Sequence, residues 1–139
     1  MAYWLIKTEP STWSWNDQTS AKGKRTHWDG VRNHVAKQHL QAMKKADRCF
    51  FYHSVNEKQI VGVVEVVKQA YPDPSDEKGQ FVMVDVKAIA PLPTPVTLAD
   101  IKAEPKLKDM VLVNNSRLSV QPVTAAEWKH ICKMAGYKD

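Results

Sequence analysis

Cysteine is scarce in this sequence: the 139 residues hold two, Cys49 and Cys132, each in an apolar pattern. A disulfide framework is therefore not expected, and the reducing cytoplasm is the natural setting. A basic-apolar-small leader is missing, as is any apolar run long enough to span a bilayer, so nothing points to secretion or a membrane. The Walker loop, the GxSxG elbow, HExxH and CxxC are all absent. His34 and His39 stand five apart, which separates them around a helix instead of stacking them as metal ligands. Neither a metal nor a cofactor is expected. Cys49 and His53 are the one thiol and base worth testing, yet four strand residues put them roughly 13 Å apart. Catalytic partners need about 2.6–3.2 Å. Glu9, Asp29, Glu65 and Asp85 show no spacing that singles out a carboxylate pair. An enzyme is not expected.

What is present is a globular composition with a basic excess. A hydrophobic content of 43% at this length fits a single domain over residues 1–139, with a core that needs no covalent staples. The net charge is +5. The basic residues cluster as Lys22, Lys24, Arg25 and His27, then Lys44, Lys45 and Arg48, then Lys102, Lys106 and Lys108. Such clusters suit a polyanionic partner, although charge alone also describes a solvated surface.

Along the chain, Tyr3 to Thr8 has strand composition and Pro10 stops it. Ser14 with Asp17 opens a short helix, and Gln18 to Thr26 reads as an exposed loop. Asn33 caps a helix that carries Ala36, Leu40 and Met43 on one side and ends near Ala46. Arg48–Val55 and Gln59–Val67 form a hairpin, and a loop begins at Tyr71. A strand from Phe81 to Ile89 is ended by Pro91, Pro93 and Pro95. Thr97 caps a short helix, and Val111–Val113 and Arg117–Val120 are short strand candidates. Thr124 to Glu127 is a capping box for a last helix that stops at Gly136. No repeat or linker divides the chain. This order predicts an α+β fold, a compact curved sheet or barrel with helices at its ends.

Three segments join aromatic planes to short polar groups: Lys7-Thr8-Glu9-Pro10 with Trp13 and Trp15, Trp28 through Asn33, and Phe51 through Ser54. An indole stacks on a planar ligand while amides and hydroxyls read its edge, which is what holding a nucleobase demands. Trp4, between Tyr3 and Leu5, and Trp128, in the last helix with Ile131, Cys132 and Ala135, belong to the core. Trp28, between the basic loop and a helix N-terminus, is expected to be half exposed and functional. For Trp13 and Trp15 the residues leave both pocket and packing open.

The stretches YWLIKTEP, WDGVRNHVAKQHLQAMKKAD, FFYHS, IVGVVEVV, AYPDP, PVTL and RLSVQPVT followed by EW resemble the EVE domain family, in order, from Tyr3 to about Ile131. The resemblance implies a PUA-like curved β-barrel of five or six mainly antiparallel strands with flanking helices, related to the YTH domains. It implies a reader of modified bases, notably modified cytosine in DNA, with no chemical step. Carried onto this sequence, it puts Lys7, Thr8 and Glu9 at the base edge and makes Trp28 the stacking residue. Asp29, Gly30, Val31 and Asn33 become the pocket wall, and Tyr52, His53 and Ser54 the opposite strand. Arg117 and Ser119 join the pocket, Trp13 rims it, and Trp15 falls to packing.

The expectation is a monomeric nucleic-acid reader that holds one base in an aromatic cage. Lys22, Lys24, Arg25, Arg32, Lys44 and Lys45 add salt-dependent phosphate contacts. The alternatives are an RNA-binding PUA-like module without modified-base selectivity, and a small nucleotide-acting hydrolase.

Overall fold

Tyr3–Thr8 opens with four apolar and aromatic residues in a row because both faces of that stretch are covered. In the computed structural model of the chain, which describes residues 1–138, Tyr3–Thr8 is strand β1. Successive side chains leave a strand on opposite sides, so Leu5 enters one core while Trp4 and Ile6 enter a second. The neighbouring strand, β3 (Arg48–His53), divides in the same way, with Phe50 and Tyr52 on one face and Cys49 and Phe51 on the other.

Among the described residues six strands form one mixed sheet in an α+β fold. The others are β2 (Arg25–Trp28), β4 (Gln59–Pro72), β5 (Val82–Thr97) and β6 (Val120–Val123). The order is β2-β5-β4-β3-β1-β6, with β1 parallel to β3 and the remaining pairs antiparallel. Nothing pairs β2 with β6, so the expected closed barrel is an open sheet instead. Register shifts interrupt the long β4–β5 ladder, and such bulges bend and twist a sheet.

Helices cover both faces. Over the first core lie α3 (Leu98–Ala103), α4 (Val111–Asn114) and α5 (Ala125–Ala135). Trp128 of α5 stacks on Phe50, with ring centres 3.8 Å apart, and on Tyr3 at 4.6 Å. Over the second core lie α1 (Trp15–Ser20) and α2 (His34–Ala42), the latter through Ala36 and Leu40. The helix starts follow the caps: Ser14, Thr97 and Thr124 each close a reciprocal box with the acid three residues on, and Asn33 accepts from the Ala36 amide. Gly136, at φ +69°, ends α5.

Three expectations change. Part of the polar loop before Trp28 is strand β2, which pairs with Val84–Lys87 at the sheet edge; with Arg25 and His27 exposed it shows no apolar alternation to read. The prolines at 91, 93 and 95 do not end β5, because beyond Lys87 that strand has no partner on its outer side and a missing N–H costs nothing there. Val111–Val113 is helical, not a strand, and of Arg117–Val120 only Val120 enters β6.

Candidate functional site

On the α2 side of the sheet, the end of β1 and the segment leaving β2 border a cleft of about 550 Å³. Its aromatic walls are Trp28 and Trp13, and Lys7, Thr8 and Ser119 line it from β1 and the approach to β6. Trp28 ends β2 and is 7% exposed, so it is buried deeper than its position in the sequence suggests. Its ring meets Phe51 edge-on at 5.5 Å. Phe51 meets Trp15 as well, in a T-shaped contact at 5.2 Å. Trp15 covers Gly62, where an added Cβ would stand 2.5 Å from the indole. That makes Trp15 a packing residue. Trp13 is held instead by polar bonds: its Nε1 donates to Gln18 Oε1 at 2.9 Å, and its carbonyl accepts from the Thr8 hydroxyl at 2.9 Å.

Asp29, Gly30, Val31, Arg32 and Asn33 form a further wall. Their backbone is fixed from a distant loop, because the buried Asp73 carboxylate accepts the Gly30 N–H at 2.9 Å and Arg32 Nη1 at 3.2 Å. Gly30 sits at φ +78°, which a side chain would strain. Burial by itself raises the Asp73 carboxyl, but the bonds from Ser75, Gly30 and Arg32 outweigh it and hold it near 2. Opposite, Lys7 donates from its ammonium to the Ser116 carbonyl and stands 5.6 Å from the Tyr52 ring centre. Burial lowers its pKa to about 8. The lining of the cleft thus combines indoles, a lysine with a partly desolvated amine, hydroxyl-bearing side chains and an arginine.

The sequence-derived candidates separate here. Lys7, Thr8, Trp13, Trp28, Asp29, Gly30, Val31, Asn33 and Ser119 come together around the cleft, and Arg32, expected at phosphate, lines it as well. Glu9, Tyr52, His53, Ser54 and Arg117 do not line it. Glu9 is exposed in the turn after β1, where its carbonyl accepts the Thr12 and Trp13 amides. Tyr52 points into the other core, as strand alternation requires. His53 is buried; its Nε2 accepts the Trp15 N–H, which leaves Nδ1 to donate to Glu57 at 2.9 Å. With both nitrogens engaged it is no base for Cys49, whose thiol burial pushes up. The Ser54 amide bonds the Thr8 carbonyl, and Arg117 is exposed. Lys22, Lys24, Arg25, Lys44 and Lys45 are exposed too, with Arg25 bonded to Asp85 at 3.0 Å. Thr12, Thr26 and His27 line the cleft without having been singled out for it. For Asp73 a signal existed, its place in the AYPDP stretch.

The EVE domain family model matches residues 2–134. The chain is 33% identical over 165 residues to human thymocyte nuclear protein 1, a match covering 96% of this chain and 73% of that protein. A Rhodopseudomonas palustris protein solved by NMR is 59% identical, with a TM-score of 0.92, and the match covers 98% of this chain and 94% of that one. The crystal structure of the human THYN1 protein in complex with DNA containing 5-methylcytosine is 32% identical, also with a TM-score of 0.92, and both chains are covered completely.

Proposed function

The chain belongs to the EVE domain family, and we propose that it reads nucleic acid by taking one base, modified as in 5-methylcytosine, into the cleft between Trp28 and Trp13. The observation that carries this reading is the cleft itself, of ligand-pocket size, with a tryptophan ring in its wall and polar groups converging from three segments. The human relative's complex with 5-methylcytosine DNA supports the substrate class.

A base inside a duplex is out of reach, so it must leave its stack at a cost of a few kcal/mol. Stacking on an indole returns about 1–3 kcal/mol per base. Lys7, Thr8, Asn33 and Ser119 supply edge hydrogen bonds that select the base. Arg32 at the opening and Arg25, Lys22, Lys24, Lys44 and Lys45 on the surface add sequence-blind phosphate attraction that weakens with salt. This function needs no chemical step.

The test is Trp28→Ala, titrated against matched duplexes with and without 5-methylcytosine and against the same sequence as RNA. Loss of about ten-fold or more on the modified duplex is expected, with weak binding to plain duplex retained. Equal losses on both duplexes would overturn the cage. Tight binding to RNA that ignores methylation would favour the RNA-binding alternative.

A further inference from the structure

His27 is held by one ring nitrogen and open at the other. Its Nδ1 lies 2.8 Å from Asp85 Oδ1 and 2.8 Å from the Tyr71 hydroxyl, which donates to that same Asp85 oxygen. Arg25 Nη2 donates to the second oxygen at 3.0 Å. The Asp85 side chain is 4% exposed; burial pushes its carboxyl up, and the bonds from Tyr71, His27 and Arg25 outweigh that and keep it low. Tyr71, raised to about 12 by burial and by Asp85, is a neutral donor. An ionised carboxylate can only accept, so Nδ1 carries a hydrogen and Nε2 of the neutral ring is bare. Nε2 makes no hydrogen bond among the described residues.

His27 is also among the residues that line the cleft, while its side chain remains 66% exposed. On β2, an edge strand, Arg25 and His27 share the outward face, and Trp28 turns inward. The indole is thus placed for a base and the imidazole for what lies outside it, the sugar-phosphate chain. The charged and titratable groups around the ring are Asp85 of β5, Arg25 of its own strand and Tyr71 of β4. Lys68 lies over the Tyr71 ring at 3.9 Å, and Asp29 acts on Tyr71 through its charge.

We propose that His27 is a proton-linked phosphate contact of this cleft: with a proton on Nε2 it donates to a phosphodiester oxygen beside the bound base, and without one it does not. Asp85 orients the ring so that the proton gained on acidification appears on the open side. Arg25 already shares the Asp85 charge, so a protonated His27 leaves the group net positive, as an anionic partner requires. The inference rests on the reader function proposed above. The added proton is what supplies the donor, so the consequence is affinity that rises as pH falls.

The experiment measures binding of the wild type and of His27→Gln to a 5-methylcytosine duplex at pH 5.5 and pH 8, each at several salt concentrations. The exposed position makes the substitution compatible with folding, and the other four histidines are common to both proteins. The wild type is expected to bind about ten-fold more tightly at pH 5.5, the size of one charge-assisted contact. Its salt slope should be steeper there by about 0.9. His27→Gln loses both increments, and His27→Lys, cationic throughout, binds at pH 8 as the wild type does at pH 5.5. Parallel pH profiles in the wild type and His27→Gln would overturn this inference alone. A wild type that binds no duplex at either pH would overturn the reader function and this inference with it.

Discussion

The Asp73 carboxylate accepts the Gly30 backbone N–H at 2.9 Å across 43 residues of chain. That bond joins the loop between β4 and β5 to the wall of the cleft. With Arg32 on the same carboxylate, it converts a glycine-containing stretch into a surface of defined shape.

Asp73→Asn should therefore loosen the wall. The expected loss of stability is about 1–3 kcal/mol, because buried partners are left poorly matched. The carboxyl lies at about 2 in the folded protein against an ordinary 3.8, so its stabilisation is complete above about pH 4 and disappears as pH falls through 2. Thermal melts of both proteins between pH 2 and 7 should converge at the acid end. A constant gap between them would mean that the charge is not what Asp73 contributes.

Gly62→Ala would drive a methyl to 2.5 Å from the Trp15 ring. Overpacking of this kind costs about 1–3 kcal/mol, read as a lower urea midpoint. Adding Trp15→Leu should recover part of the loss, since the clash then has no second partner. Simple additivity in this cycle would contradict the packing role assigned to Trp15.

Lys7 carries a stability cost, because burial lowers its amine pKa. Its amine titrates near 8 in the fold and at 10.5 ordinarily, so the unfolded chain holds more protons between those values and stability rises with pH across that window. Lys7→Met should stabilise the protein at pH 7 by about 1 kcal/mol, after allowance for solvent screening of a partly exposed amine. The gain fades as pH rises from about 8 to 10.5. The same variant should bind nucleic acid less tightly, so denaturation and titration should move in opposite directions.

Cys49 is fully buried, and burial together with Asp47 pushes its thiol up. The thiolate is the reactive form. Iodoacetamide at pH 8.5 should label Cys49 only through unfolding, at a rate that climbs with urea. Fast labelling of the native protein would show that this strand opens locally.

What could be read in advance follows the range of the interactions. The helix caps at Ser14, Asn33, Thr97 and Thr124 join groups three residues apart, and each was visible as a short pattern. The division of β1 into core and cleft was visible only in part. Lys7 and Thr8 line the cleft, but Glu9 leaves it, because the chain turns at Pro10 and gives the Glu9 carbonyl to Thr12 and Trp13. Tyr52 and His53 were grouped with the pocket by their place beside Phe51, yet the pleat sends Tyr52 to the far core and Trp15 claims His53.

The α+β class, the four capped helix starts, the buried strands β1, β3 and β4 and the family were legible from the sequence, since each is written in local spacing or in long ordered motifs. Tertiary structure decided that polar Arg25–Trp28 is a strand, that β5 runs on through its prolines, that the sheet stays open, and that Asp73 and Asp85 stand behind the cleft. Those outcomes depend on pairings between residues tens of positions apart. A hydrogen bond from the Gly30 N–H to the Asp73 carboxylate leaves no periodic trace in the chain, so it exists as information only once the sheet has brought the two together.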